Sequence, residues 1–276
     1  MCGINGIFAK NLDEGLLNEV KRASDSLRHR GPDDHGVWSD LGHDIAIAHQ
    51  RLSVLDLSHA GHQPKRSASD RFVIAFNGEI YNHLELRAQL GATSTGPASW
   101  KGHSDTETLL VCFEAWGIEE SLSRAVGMFA IAVWDQQEKQ LILARDRMGE
   151  KPLYFGWCGD GFVFGSELKA LRRYPGFSNA ISRDALAAYF RYSYIPAPYS
   201  IYEVIYKLEP GCMMTVSRQS ASKSPGTIPL APGSGDGWEI RPYWKLLDHV
   251  TSGQSSLIDD EQDGLDALET TLRESI

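Results

Sequence analysis

A cysteine at position 2 is the residue of this 276-residue chain whose placement says most about chemistry. Its small side chain permits removal of Met1, which leaves a first residue carrying both a thiol and a free α-amine. With reference pKa values of about 7.7–8.0 for the amine and about 8.5 for the thiol, the amine can take the thiol proton near neutral pH. That is nucleophilic catalysis in which the nucleophile brings its own base. A cysteine after methionine is otherwise a small buried hydrophobe, so Cys2 acquires meaning only through partners.

Several segments offer such partners. In Phe76-Asn77-Gly78-Glu79-Ile80-Tyr81-Asn82, the Asn77 carboxamide and the Gly78 amide can donate to a developing oxyanion. Asn-Gly between apolar residues is equally the strongest short-range signal for a tight hairpin. Ser104-Asp105-Thr106-Glu107 fits a capping box that opens a helix, and capping leaves Asp105 free to receive an ammonium group. In Gln50-Arg51-Leu52-Ser53-Val54-Leu55-Asp56, Arg51 can grip a carboxylate bidentately or sit solvated at an edge. His29-Arg30-Gly31-Pro32-Asp33-Asp34-His35 gathers two His and two Asp, but without a recognised metal-ligand spacing, and Gly-Pro-Asp is first of all a turn.

The elements that must position these residues read as strands with few helices between them up to about residue 175. Strands are expected over 3–9, 45–57, 71–76, 128–135, 140–146, 153–157 and 162–164, several rich in β-branched or aromatic residues. Helices are expected over 12–27, 83–90, 105–115 and 118–125, where apolar residues recur at three and four. So many strands require two stacked sheets covered by helices, an α+β arrangement. A further helix over 183–192 precedes Pro196 and Pro198, which force an extended path towards another strand pair. Between Ser217 and Gly237, twelve of 21 residues are Ser, Pro or Gly, the composition of a flexible loop. Residues 257–276 carry seven acidic residues against one Arg, with Leu265, Leu268, Leu272 and Ile276 on one helical stripe.

Composition excludes several classes of function. Lys+Arg 27 against Asp+Glu 36 gives a net charge of −9, which disfavours nucleic acid and anionic membrane surfaces. No apolar run approaches the 18 or so residues that a membrane span needs, and no secretory signal opens the chain. Cys2, Cys112, Cys158 and Cys212 match no zinc or disulfide spacing, so they read as free thiols of a cytoplasmic protein.

Taken together, Met1-Cys2-Gly3-Ile4, Arg28-His29-Arg30-Gly31-Pro32-Asp33, Arg51-Leu52-Ser53, the Asn77-Gly78 segment and Ser104-Asp105-Thr106-Glu107 resemble, in order, the class II glutamine amidotransferases. More specifically the chain resembles the glutaminase domain of glutamine-hydrolysing asparagine synthetases, a likeness extended by 128–135, Arg145-Asp146-Arg147, Lys151-Pro152-Leu153-Tyr154 and 164–171. The resemblance is dense over 1–216 and resumes at Ile240-Arg241-Pro242-Tyr243-Trp244. It implies a four-layer αββα N-terminal-nucleophile sandwich, with two antiparallel sheets between helices. It also implies Cys2 as nucleophile towards L-glutamine, with Asn77 and Gly78 as the oxyanion hole. Arg51 would bind the α-carboxylate with help from Leu52, Ser53, Val54 and Leu55, and Glu79 and Asp105 would receive the α-amine.

The departures are as informative. The synthetase phosphate loop, Ser-Gly-Gly-x-Asp-Ser, is absent, and no Walker loop replaces it. ATP and magnesium would therefore belong to a synthetase domain outside this sequence, and no cofactor or metal is expected here. The domain division expected is 1–216 glutaminase, 217–237 loop, and 238–276 a connecting strand and first helix of that synthetase domain. An alternative is a catalytically silent fragment or regulatory subunit that binds a separate synthetase domain through its C-terminal helix; a homodimer also stays open. A conventional Cys-His hydrolase has no histidine in a context that marks it as base.

Overall fold

The structure is a computed structural model and describes residues 1–54, 56–92, 96–97, 99–221 and 229–274. Strand β1 (Gly3–Ala9) leads into helix α1 (Glu14–Asp25), whose N-cap Asp13 accepts the Leu16 amide at 2.8 Å. Strands β2 (Asp34–Asp40) and β3 (Ile45–Arg51) form a hairpin. A two-residue β4 (Lys65–Arg66) precedes β5 (Phe72–Ile80), and three helices follow: α2 (His83–Gly91), α3 (Asp105–Trp116) and α4 (Ile118–Arg124). Strands β6 (Gly127–Asp135), β7 (Gln140–Arg145), β8 (Tyr154–Cys158) and β9 (Gly161–Gly165) come next, then helices α5 (Leu168–Leu171) and α6 (Arg183–Tyr192). After β10 (Ile205–Lys207) and β11 (Cys212–Ser217) come α7 (Arg218–Ala221), β12 (Gly233–Gly235) and β13 (Trp238–Pro242).

These strands make two wholly antiparallel sheets. The first has the order β10-β8-β9-β1-β3-β2 and the second β12-β13-β11-β7-β6-β5-β4. Period-two alternation sorts each strand's side chains between two layers. Ile4, Phe8, Ile45 and Ile47 from the first sheet meet Val73, Ala75, Trp134 and Leu143 from the second in an inter-sheet core. The opposite faces pack on helices: Ile7, Ala46 and Ala48 under α1, and Phe72, Ile74 and Phe76 under Leu109, Leu110 and Phe113 of α3. The result is the expected helix–sheet–sheet–helix sandwich.

Several boundaries differ from expectation for physical reasons. The strand expected over 45–57 stops at Arg51, where the chain leaves the sheet. Asn77-Gly78 is no hairpin turn but lies inside β5, paired with Ala130 and Phe129 of β6. Strand β2 was not foreseen, because as an edge strand with one fully buried residue, Gly36, it carries no apolar alternation. The segment expected as a loop over 217–237 holds α7 and β12 at its ends, while 222–228 lie outside the described residues. Strand β13 pairs with β11, so the first compact unit runs through Trp244 rather than ending near 216. The second unit begins at Lys245 and contains two helices, α8 (Leu246–Gln254) and α9 (Glu261–Glu274), rather than one. Leu265, Leu268 and Leu272 on α9 are exposed, and Ile276 lies outside the described residues. Among the described residues no helix is long and apolar enough to cross a membrane.

Trp134 is fully buried and sits edge-on to Phe8 at 5.3 Å between ring centroids, which ties one sheet to the other. Trp134→Ala should therefore lower unfolding free energy by about 3–5 kcal/mol, read as a shift in the denaturant midpoint at unchanged slope.

Candidate active site

Three inner-face rows change from apolar to polar at the same end of the sandwich. Along β1 the row runs Phe8, Gly6, Ile4 and then Cys2; along β3 it runs Ile45, Ile47, His49, Arg51; along β5 it runs Val73, Ala75, Asn77, Glu79. Alternation alone therefore aims Cys2, Arg51, Asn77 and Glu79 into one space. With Asp105 they line a cavity of about 200 Å³, together with Leu52, Val54, Asp56, Gln63 and Met128.

Cys2 is held by its backbone and by a loop. Arg30 Nε donates to the Cys2 carbonyl at 2.9 Å, and the Arg30 guanidinium is itself fixed by Glu167 at 3.0 Å. The Ile4 amide donates to Ser166 Oγ at 3.0 Å. The Leu52 amide donates to Cys2 Sγ at 3.4 Å. Burial pushes the thiol pKa up, against the Leu52 amide, the N-terminal charge and Arg51, which pull it down. The group is therefore a thiol at neutral pH and needs a base. Among the described residues no histidine lines the cavity, so the α-amine that removal of Met1 would expose is the base at hand.

Strand β5 carries amide groups that can donate to a developing negative charge. Its odd residues bond to β6, and its even residues face the opposite edge, where β4 ends opposite Ile74. On that edge the Phe76 amide donates to Gln63 Oε1 at 2.7 Å and the Ile80 amide to Asp105 Oδ2 at 3.0 Å. Strand parity aims the Gly78 amide, between them, the same way, into the cavity. A Cβ on Gly78 would come within 2.7 Å of Phe129 Cα, so only glycine lets β5 lie this close to β6. The neighbouring Asn77 side chain is buried with neither Nδ2 nor Oδ1 partnered among the described residues. An unpaired buried amide is costly, and a ligand would satisfy it.

Charges flank this centre. The buried Arg51 guanidinium donates to the carbonyls of Asp56 and Ser58, the latter at 3.1 Å. A Cβ on Gly61 would meet Arg51 Cζ at 2.6 Å, which explains the glycine there. Asp105, capped by Ser104 at the start of α3, accepts from Ile80 and from its neighbour Thr106 at 2.8 Å. Burial raises its pKa to about 6, with Glu79 adding to the effect. The Glu107 expected to close a capping box instead accepts the amides of Lys101 and Gly102 at 2.8 and 2.9 Å.

The structure thus brings Cys2, Arg51, Leu52, Val54, Asn77, Gly78, Glu79 and Asp105 to one cavity. Ser53 does not line it; its amide is held by Asp33 at 2.8 Å. Leu55 lies outside the described residues. The His29–His35 segment is used to brace the site. Arg30 and Asp33 hold its backbone, Asp34 pairs with His62 at 2.8 Å, and His29 pairs with Glu167. Among the described residues no three His, Cys, Asp or Glu side chains converge as a metal site. The bracing roles of Gln63 and Ser166, which accept backbone amides, and of Glu167, which accepts from the Arg30 guanidinium, escaped sequence reasoning because each partner lies well away in the chain.

The glutamine amidotransferase domain family matches residues 1–225. The chain belongs to that family. The chain is 36% identical over 230 residues to a putative glutamine-hydrolysing asparagine synthetase of Methanocaldococcus jannaschii, covering 76% of this chain and 42% of that protein. It is 36% identical over 256 residues to asparagine synthetase 3 of Bacillus subtilis, covering 89% of this chain and 37% of that one. The chain thus spans about two fifths of these relatives. In fold it is similar to the glutamine phosphoribosylpyrophosphate amidotransferase of B. subtilis, with a TM-score of 0.56 at 22% identity over 81% of this chain and 49% of that one.

The thiols of the amidotransferase domain differ sharply. Cys112 and Cys158 are buried, and burial pushes both up to about 12; Cys212 is buried as well. Iodoacetamide at pH 8 should modify Cys2 alone in the native protein, checked by peptide mass mapping, and all four cysteines in denaturant.

Proposed function

We propose that this chain hydrolyses L-glutamine to glutamate and ammonia at Cys2. The observation that carries the reading is the pair of oxyanion donors, the unpartnered Asn77 amide and the edge-facing Gly78 amide, in one cavity with Cys2. With Met1 removed, the Cys2 amine takes the thiol proton and Sγ attacks the side-chain carbonyl of glutamine. The oxyanion that forms accepts from Asn77 Nδ2 and Gly78 N. Collapse breaks the C–N bond, and the amine's proton goes to the departing nitrogen, which leaves as ammonia. Water then cleaves the thioester, its proton passing through the same amine, and glutamate leaves. Arg51 suits the substrate carboxylate, and Glu79 with Asp105 suits the ammonium.

The named relatives support a further step, transfer of ammonia to an ATP-activated carboxylate such as aspartate. ATP and magnesium would then act in a synthetase domain, and the exposed leucines of α9 support contact with such a domain or with a second copy. Four free thiols support a cytoplasmic setting. The silent-partner reading draws on Met1 itself, which occupies the cavity wall and, while attached, denies Cys2 its amine.

Ammonia release from glutamine, measured with the N-terminal residue checked by mass, tests the reading. Turnover should vanish in Cys2→Ala, and Asn77→Ala should lose about 10²–10³ in kcat. No turnover with a free Cys2 would refute it. The acid limb tests Asp105: its carboxylate must be ionised to hold the ammonium, so kcat/KM should fall as pH drops through about 6. In Asp105→Asn kcat/KM should be low throughout and the fall near 6 should disappear, leaving only the acid limb of the Cys2 amine.

A further inference from the structure

His49 is fully buried on the inner row of β3, between Ile47 and Arg51, and pairs across the ladder with Ile4 of β1. Its Nε2 lies 3.0 Å from the carbonyl oxygen of Phe76 on β5, in the other sheet. A carbonyl only accepts, so Nε2 carries the hydrogen and Nδ1 is a bare lone pair; among the described residues Nδ1 has no partner. Burial lowers the imidazole pKa to about 4, which keeps the ring neutral in this tautomer at neutral pH.

The bond falls at an unusual place. The Phe76 carbonyl points to the β5 edge that β4 leaves open, and it shares a planar peptide with the Asn77 amide nitrogen. Gln63 takes the Phe76 amide on the same edge at 2.7 Å. Two side chains thus stand in for a missing strand immediately before the oxyanion donors. Of these two, His49 comes from the sheet that carries Cys2.

We propose that His49 is a positioning residue for glutamine hydrolysis, a cross-sheet strut that fixes the Asn77–Gly78 donors at their working distance from Cys2. The proposal rests on the glutaminase reading above. A strut of this kind acts on the transition state, whose oxyanion needs the donors in place. It leaves untouched the Arg51, Glu79 and Asp105 contacts that hold the substrate's other end.

The test compares His49→Leu, His49→Gln and His49→Asn with the wild type. The amide nitrogen of Gln reaches the Nε2 position, and that of Asn reaches only Nδ1. His49→Leu and His49→Asn should lose at least about tenfold in kcat with KM within about threefold, as small misplacements of catalytic donors do. His49→Gln should stay within about threefold of wild type. Iodoacetamide modification of Cys2, which needs no oxyanion hole, should proceed at the wild-type rate in all three. The strut is overturned if His49→Asn matches His49→Gln in kcat, if His49→Leu keeps wild-type kcat, or if thiol modification falls in step with turnover. Should His49→Leu not fold, the Gln and Asn pair decides alone. A wild type with free Cys2 that modifies normally but does not turn glutamine over overturns the glutaminase reading itself, and the strut with it.

Discussion

A strand at a sheet edge leaves every second peptide without a ladder partner. Strand β5 meets this condition beyond Ile74, where the two-residue β4 stops. The even peptides beyond that point must find other partners or stay open. Gln63 takes Phe76, Asp105 takes Ile80, and Gly78 between them stays open to the cavity. The same edge thus builds both the proposed oxyanion donor, Gly78, and the seat of Asp105. A longer β4 would have covered Gly78 and closed the site.

Electrostatics then act on a frame already set. Glutamine presents a carboxylate and an ammonium at one end and a neutral amide at the other, and the cavity has Arg51, Glu79 and Asp105 around its reactive thiol. Burial raises Asp105 and Cys2 alike, but with different consequences. For Asp105, the arriving ammonium would restore the charged form that burial disfavours. For Cys2, no permanent cation does this work strongly enough, so a base is needed to take the proton, and the α-amine that removal of Met1 would expose is the one at hand.

Much of this was legible in the sequence, and the reason is periodicity. Helix α6 is found over 183–192, as its pattern requires, and β1 over 3–9. The polar residues at alternate positions, His49 and Arg51 after Ile45 and Ile47, or Asn77 and Glu79 after Val73 and Ala75, already mark where an apolar interlayer ends. Alternation is blind to hydrogen bonds between strands that are distant in the chain. Gln63, Ser166 and Glu167 hold backbone or Arg30 across separations that no local pattern encodes. Strand β2 was hidden for the opposite reason: its pairing rests on backbone bonds to β3, with little apolar burial to announce it.

The way Cys2 is anchored bears on whether removing Met1 would disturb it. Every strong hold on this end of the chain lies C-terminal to the Cys2 nitrogen: Arg30 grips the Cys2 carbonyl, Ser166 the Ile4 amide, and β3 pairs from Gly3 onward. Met1 contributes a sulfur 3.9 Å from Arg30 and is largely exposed. Loss of Met1 would therefore remove little that fixes the thiol, while converting a peptide nitrogen beside Sγ into an amine. Position and reactivity would then be set by different groups, so the proposed nucleophile would be seated by folding and armed by a single peptide-bond cleavage without refolding the site.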